Sequence, residues 1–218
     1  MSTVANWPTF MTRLIECHEV AEQTVAFQFE KPAEWAFKAG QFVDITLVNP
    51  TETDAEGNTR GFSISSAPHE PTIMVTARLR DTAFKRVLKN MPLNSEVKVE
   101  GPFGNLTPRN NAARPAVFLA GGIGITPFRS IVVHAAKEKL PHKILEIDKS
   151  PTRKGEVGLI DYQMLVRHLK AAASPESYSA GPIYYIAGPP QMDRDLQAML
   201  TNAGVDSDDI RIEEFSGY

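Results

Sequence analysis

The sequence predicts an antiparallel β-barrel over residues 1–110 followed by a parallel α/β sheet over residues 111–218, and three observations carry the prediction. Apolar residues recur with a period of two from Thr9 to about Pro108, the spacing of strands with one buried face. The segment Pro108-Arg109-Asn110-Asn111-Ala112-Ala113-Arg114-Pro115 is polar and bounded by prolines, which marks a boundary. Beyond it, a short apolar run, a glycine turn and a helical pattern occur twice.

In the first part, Val25, Phe27 and Phe29 alternate with Ala26, Gln28 and Glu30. Val43, Ile45 and Leu47 then alternate with Asp44 and Thr46, and Ile73, Val75, Ala77 and Leu79 with Thr72, Met74, Thr76 and Arg78. Glu96 to Glu100 repeats the pattern over a shorter stretch. Turn-forming segments separate these strands, Asn49-Pro50 to Gly57-Asn58 and Pro68 to Pro71, so a Greek-key barrel is the natural closure. One short helix is expected near Thr82 to Lys89. In the second part, Ala116 to Ala120 reads as a strand buried on both faces, and a helix is expected from Pro127. Thr126 suits its cap and Pro127 its first position, while Ile131, Val132, Ala135 and Ala136 make an apolar face. Ile183 to Ala187 and Met192 to Ala203 repeat strand, turn and helix, with Leu196, Met199 and Leu200 inward and Gly204 as the stop. Ile210 to Phe215 is the final expected strand.

Composition narrows the function. Of 218 residues, 42% are hydrophobic and 22% charged, ordinary for a globular chain, and a net charge of -3 provides no field to recruit nucleic acid. The single Cys17 excludes an internal disulfide framework, a four-cysteine zinc site and a cysteine-ligated iron-sulfur cluster within this chain. The five histidines lack metal-ligand spacing, and hydrolase elbows, Walker loops and His-Glu-x-x-His are absent, so no metal is expected. The first residues lack the basic-then-apolar pattern of a secretory signal, and no apolar run approaches the roughly 20 residues of a membrane span, so a cytoplasmic address is expected.

Three segments stand apart: Arg60-Gly61-Phe62-Ser63-Ile64-Ser65-Ser66, Ala120-Gly121-Gly122-Ile123-Gly124-Ile125-Thr126-Pro127, and Ile186-Ala187-Gly188-Pro189-Pro190-Gln191-Met192. In this order, behind a strand-rich half and within a helix-alternating half, they resemble the ferredoxin-NADP reductase family of flavoenzymes. The resemblance implies an FAD-binding barrel and a Rossmann-like NAD(P)-binding sheet. The first segment matches the family's Arg-x-Tyr-Ser, with Phe62 for the usual Tyr. The second matches Gly-Gly-x-Gly-x-Thr-Pro, although it departs from the general Gly-x-Gly-x-x-Gly fingerprint. At the third, Ala187 stands where the family often has Cys.

The chemistry of each segment fits that resemblance. Arg60 offers a planar fork for phosphate oxygens, Phe62 an aromatic face, and Ser63 a hydroxyl for the ring edge that accepts hydride, which makes Ser63 the candidate catalytic residue. Residues 60, 62 and 63 cannot all face one way on a regular strand, so a bulge is expected there. Thr76, Arg78, Thr82 and Ala83 extend this site, the last two small enough to admit a pyrophosphate. Gly121, Gly122, Gly124, Thr126 and Pro127, with Ala187, Gly188, Pro189 and Met192, form the nucleotide turns, and Phe215 or Tyr218 could stack on the flavin. Taken singly, the same residues also fit an ordinary strand, tight structural turns and a frayed C-terminal tail. Arg78, Arg80, Lys85, Arg86 and Lys89 make a basic cluster suited to an acidic electron carrier, or to a solvated helix face with a phosphate clamp.

The resemblance implies transfer of hydride from NAD(P)H to FAD, then electron delivery to a ferredoxin, flavodoxin or oxygenase component. A flavin-binding electron-transfer or redox-sensing subunit that does not use NAD(P)H is the alternative, and a catalytically silent scaffold a third. One stretch departs from the family: Leu140 to Ser150 runs almost directly into Gly155-Glu156-Val157-Gly158-Leu159-Ile160, so a strand-helix-strand portion of roughly 30 residues is expected to be missing and the sheet truncated. Ser150, Arg153 and Lys154 are the nearby candidates to read the adenosine ribose or its phosphate.

Overall fold

Residues Ile64 and Val75 pair as an isolated antiparallel bridge, and that bridge turns a sheet into a barrel. The structure, a computed structural model, describes residues 7–109, 113–149, 160–172 and 181–214. Its first sheet contains β1 (Thr9–Ala21), β2 (Thr24–Glu30), β3 (Phe42–Leu47), β4 (Thr59–Ser63), β5 (Thr72–Arg78) and β6 (Glu96–Phe103), in the order β4-β3-β6-β1-β2-β5. The two outer strands, β4 and β5, meet through the Ile64–Val75 bridge and a hydrogen bond from Ser65 N–H to Met74 O at 2.8 Å. These contacts join the two outer strands at one end.

The expected period of two is what fills the barrel. Val43, Ile45 and Leu47 on β3, Ile73, Val75 and Ala77 on β5, and Val97 and Val99 on β6 are all buried in one core with Phe27 and Phe29 of β2. The long strand β1 serves both of its neighbours: Thr9–Arg13 pairs with β6, while Leu14–Ala21 pairs with β2 through two register shifts. Helix α1 (Ala83–Lys89), where a short helix was expected, is capped by Thr82 and adds Phe84 and Leu88 to the same core.

The second sheet is parallel throughout, β10 (Ile210–Glu214), β9 (Ile183–Gly188), β7 (Ala116–Gly121) and β8 (Ile144–Lys149) in that spatial order. Every residue of β7 and β9 is buried, as a run without alternation predicts. On one face Phe118 stacks on Phe128 of α2 (Ile125–Lys137) at 4.6 Å and meets the edge of Tyr185 at 5.3 Å. On the other, Val117, Leu119, Tyr184 and Ile186 pack with Leu165 of α3 (Tyr162–Ala172) and with Leu196 and Leu200 of α4 (Pro190–Asn202). Helices therefore cover both faces. Gly204 ends α4 with φ +85°, as expected, and Val205 N–H reaches back to Leu200 O at 3.0 Å.

Two helical expectations are corrected. Helix α2 begins at Ile125, not Pro127, because a single 3-10 turn over Gly122–Gly124 feeds straight into it. Thr126 consequently lies inside the first turn, where its hydroxyl donates to Ile123 O at 2.9 Å and caps nothing. Ala136 is exposed, and Phe128, Ile131 and Ala135 make the buried side instead. By contact, residues 1–107 group with Arg129–His134 of α2, and residues 108–128 group with 135–218. Among the described residues no helix is long and apolar enough to cross a membrane.

Candidate functional site

Strand β4 pairs with β3 without interruption from Thr59 to Ser63, so the expected bulge is absent. Arg60 lies opposite Ile45 and Phe62 opposite Val43, and directly opposed residues share a face, so both project from the side that carries the barrel core. No bulge is needed to bring these two together. Gly61 and Ser63 fall on the other face, and Ser63 is buried with 4% exposure.

Helix α1 then builds an aromatic seat. The Phe62 and Phe84 rings lie 5.9 Å apart, and the Arg60 guanidinium sits 5.3 Å from the centre of Phe84. That guanidinium is heavily engaged by the loop before β4: one nitrogen donates to the carbonyls of Glu56, Gly57 and Thr59 at 2.8–3.0 Å, and the other contacts the carboxylates of Asp54 and Glu56 at 3.1 and 2.9 Å. Sequence spacing indicated an open fork, whereas the fold first uses Arg60 to organise residues 54–59.

Positive charge crowds the start of α1. Burial lowers the pKa of Lys85 below the usual lysine range, and repulsion from Arg80, Arg60 and Arg78 lowers it further, with Glu56 opposing. The Thr82 hydroxyl accepts from Lys85 N–H at 3.3 Å, and Ala83 behind it is buried. Thr76 places its hydroxyl 3.2 Å from that of Ser65, while Arg78 is exposed at the end of β5. With Arg60 over the Phe84 ring and Arg78, Arg80 and Lys85 adding positive charge, this end of α1 suits a multivalent anion carrying a flat ring system. Arg86 does not join them, since Glu52 grips it at 2.6–2.9 Å and Asp81 holds it as well. The basic cluster read from sequence is thus divided.

Beyond Ser63 the chain leaves the ladder while still buried, and side chains take over the backbone groups. Ser65 Oγ donates to Met74 O at 3.0 Å, and Ser66 Oγ accepts from Met74 N–H at 3.0 Å. Glu70 accepts from Ala67 N–H, and Lys31 donates to the carbonyls of Pro68 and Glu70. Arg129 and Ser130, which group with this unit, donate to the carbonyls of Ser65 and Ser66, each at 2.6 Å. Sequence reasoning missed Glu70, Arg129 and Ser130. The available signal was the pair of serines directly after a strand, whose backbone needs partners from elsewhere.

The glycine turns are close-packed. A Cβ on Gly124 would overlap the carbonyl oxygen of Ala187, so the turn after β7 lies against the end of β9. Met192 lies over both turns: a Cβ on Gly121 would meet its sulfur and, 2.9 Å away, its methyl group, and one on Gly188 would meet that methyl at 2.5 Å. Pro189 precedes α4, and Thr126 and Pro127 are buried in the first turn of α2. Gly122 adopts φ +55° and is exposed. Phe215, Tyr218, Ser150, Arg153 and Lys154 lie outside the described residues.

No family model matches the chain. A glycine betaine monooxygenase reductase subunit of Chromohalobacter salexigens is 33% identical over 125 residues, 54% of this chain and 33% of that protein. Reductase component 2 of a Comamonas terephthalate 1,2-dioxygenase is 29% identical over 111 residues, 50% of this chain and 31% of that one. The chain thus spans about a third of the length of these curated relatives. A ferredoxin NADP+ reductase from Neisseria gonorrhoeae, crystallised with FAD and NADP, superposes with a TM-score of 0.72 at 19% identity, over 94% of this chain and 98% of that one. The chain shares the fold of this ferredoxin NADP+ reductase. The closed six-stranded barrel and the helix-covered parallel sheet are the two parts of the ferredoxin-NADP reductase-like fold, as the sequence led us to expect.

Proposed function

We propose that the protein is an FAD-dependent oxidoreductase that takes hydride from NAD(P)H and passes the electrons to a separate protein, a ferredoxin, a flavodoxin or an oxygenase component. The observation that carries this reading is the convergence of Arg60, Arg78, Arg80 and Lys85 beside the Phe62–Phe84 pair, a donor set that fits a flavin with a pyrophosphate. The reductases and reductase components to which the chain is similar support it. Bound FAD would supply a ring that accepts two electrons as hydride and releases them singly. The protein's own residues then bind and orient. Arg78, Arg80 and Lys85 neutralise the phosphates, Arg60 keeps the 54–59 loop beside them, Phe62 offers a ring face, and Ser63 holds the ring edge. A cytoplasmic address accompanies this reading.

The second reading, a flavin-binding electron-transfer or redox-sensing subunit, is favoured by the packing of Met192. That side chain fills the space the turn glycines would otherwise leave for a dinucleotide backbone. Reconstitution with FAD followed by anaerobic mixing with NADH and then NADPH decides between them. Prompt bleaching of the flavin is expected for the reductase, whereas a flavin that stays oxidised with both nucleotides supports the subunit.

A further inference from the structure

The segment that follows Ser63 owes its position to a charged side-chain network outside the β-ladder. Ser65, Ser66 and Ala67 are at most 1% exposed, and besides the backbone bonds to Met74 and the one from Glu70 N–H to Ala67 O, side chains hold their backbone groups. Arg129 donates one nitrogen to Ser65 O at 2.6 Å and to Glu70 at 3.0 Å, and its other nitrogen to the second Glu70 oxygen at 3.2 Å. Glu70 in turn accepts from Ala67 N–H at 2.5 Å, so the Arg129 fork and the Glu70 carboxylate hold the chain from both sides. Ser130, fully buried, donates to the carbonyl between them, that of Ser66. Consecutive peptide groups are therefore fixed, beginning two residues past Ser63. A shift of about 1 Å there would move the Ser63 hydroxyl by a comparable amount, enough to weaken a contact that matters only in the transition state.

We propose that Arg129, with Glu70 and Ser130, is a positioning residue for the flavin contact made by Ser63. The inference rests on the flavin reading above, and it assigns to the network an effect on rate that a merely stabilising role would not have. Neither Arg129 nor Glu70 touches the reacting atoms in this proposal; they act through the backbone of residues 65–67. Arg129→Lys keeps the charge and one donor toward Ser65 but lacks the planar fork that spans the two Glu70 oxygens.

The test compares the wild-type protein with Arg129→Ala and Arg129→Lys in three measurements. Amide exchange of the peptide covering Ser65–Glu70 is expected to speed up roughly tenfold or more in Arg129→Ala, the scale of one lost hydrogen bond. With FAD content retained, the limiting rate of flavin reduction by NAD(P)H is expected to fall roughly tenfold while half-saturation moves less than about threefold, and Arg129→Lys should recover part of the loss. Visible circular dichroism of bound FAD should change in the same order. An unchanged limiting rate in Arg129→Ala, or a loss confined to melting temperature, overturns the proposal. If wild-type protein holds FAD but neither nucleotide bleaches it, the reductase reading fails and the dichroism alone decides the positioning role. Faster exchange in a protein that takes up no flavin would mark the network as structural and overturn both.

Discussion

The start of α1 is crowded with charge, whereas the turn after β7 is crowded with atoms, and the two kinds of crowding are relieved in different ways. Around Lys85 three arginines raise the cost of each further positive charge, and Glu56 opposes them. Around Gly124 the neighbours already fit, because Ala187 and Met192 occupy the volume that side chains at Gly121, Gly124 and Gly188 would claim. Electrostatic crowding points outward to a ligand; steric crowding is complete without one. Substitutions in the two regions should therefore differ in kind.

The largest effect is expected at Gly124→Ala. The added methyl has no space beside the Ala187 carbonyl, so the cost should reach or exceed about 3 kcal/mol, the upper end of ordinary overpacking. Thermal unfolding should show this equally with and without FAD, and a variant as stable as wild type would break the comparison. Arg60→Ala comes next: by freeing the 54–59 loop and removing a cation from the cluster it should weaken FAD binding at least roughly tenfold, about 1.4 kcal/mol, in a fluorescence titration. Ser63→Ala should retain FAD and slow its reduction by roughly tenfold in stopped flow.

Lys85→Met sharpens the contrast, since it should weaken FAD binding and yet raise the melting temperature of the flavin-free protein by about 2 °C. A drop in both would show that Lys85 is needed for packing, as Gly124 is. The smallest effect concerns acid. Burial pushes the Glu70 carboxyl up, but the Arg129 hydrogen bond and the Ala67 N–H hold it below its usual 4.5. A depressed carboxyl contributes stability that is present above its unfolded pKa and is lost as pH falls through the folded value. Glu70→Gln should therefore be less stable than wild type near neutrality, with the difference shrinking below about pH 4.5 in urea titrations.

The barrel was legible because its alternation is strict where burial is one-sided, as at Val43, Ile45 and Leu47, which are 0–1% exposed. Strand β8 was not assigned from the sequence: Ile144, Leu145, Glu146 and Ile147 are all half-buried at a sheet edge, so no clean period marks them. Helix α3 was likewise missed, since Leu165 is its one fully buried side chain among the described residues and the apolar stripe is thin. The start of α2 was misplaced because Pro127 is tolerated anywhere in a first turn, where amides have no intrahelical partner. Arg60 and Phe62 were singled out by their residue types and their match to the family's Arg-x-Tyr-Ser. The carbonyls that hold Arg60 were not, because a loop folding back on its own strand leaves no periodic trace.

The bridge between Ile64 and Val75 begins one residue after Ser63, so the fastening of the barrel and the proposed flavin contact share a stretch of chain. A cofactor seated there would act as a clasp, and its departure would let the fastening open. The strands then bared, β4 and β5, are those whose unpaired edges invite neighbouring molecules. Storage life and cofactor retention should consequently decline together, and supplementing the buffer with FAD should suppress aggregation of this protein at concentrations that do nothing for Gly124→Ala.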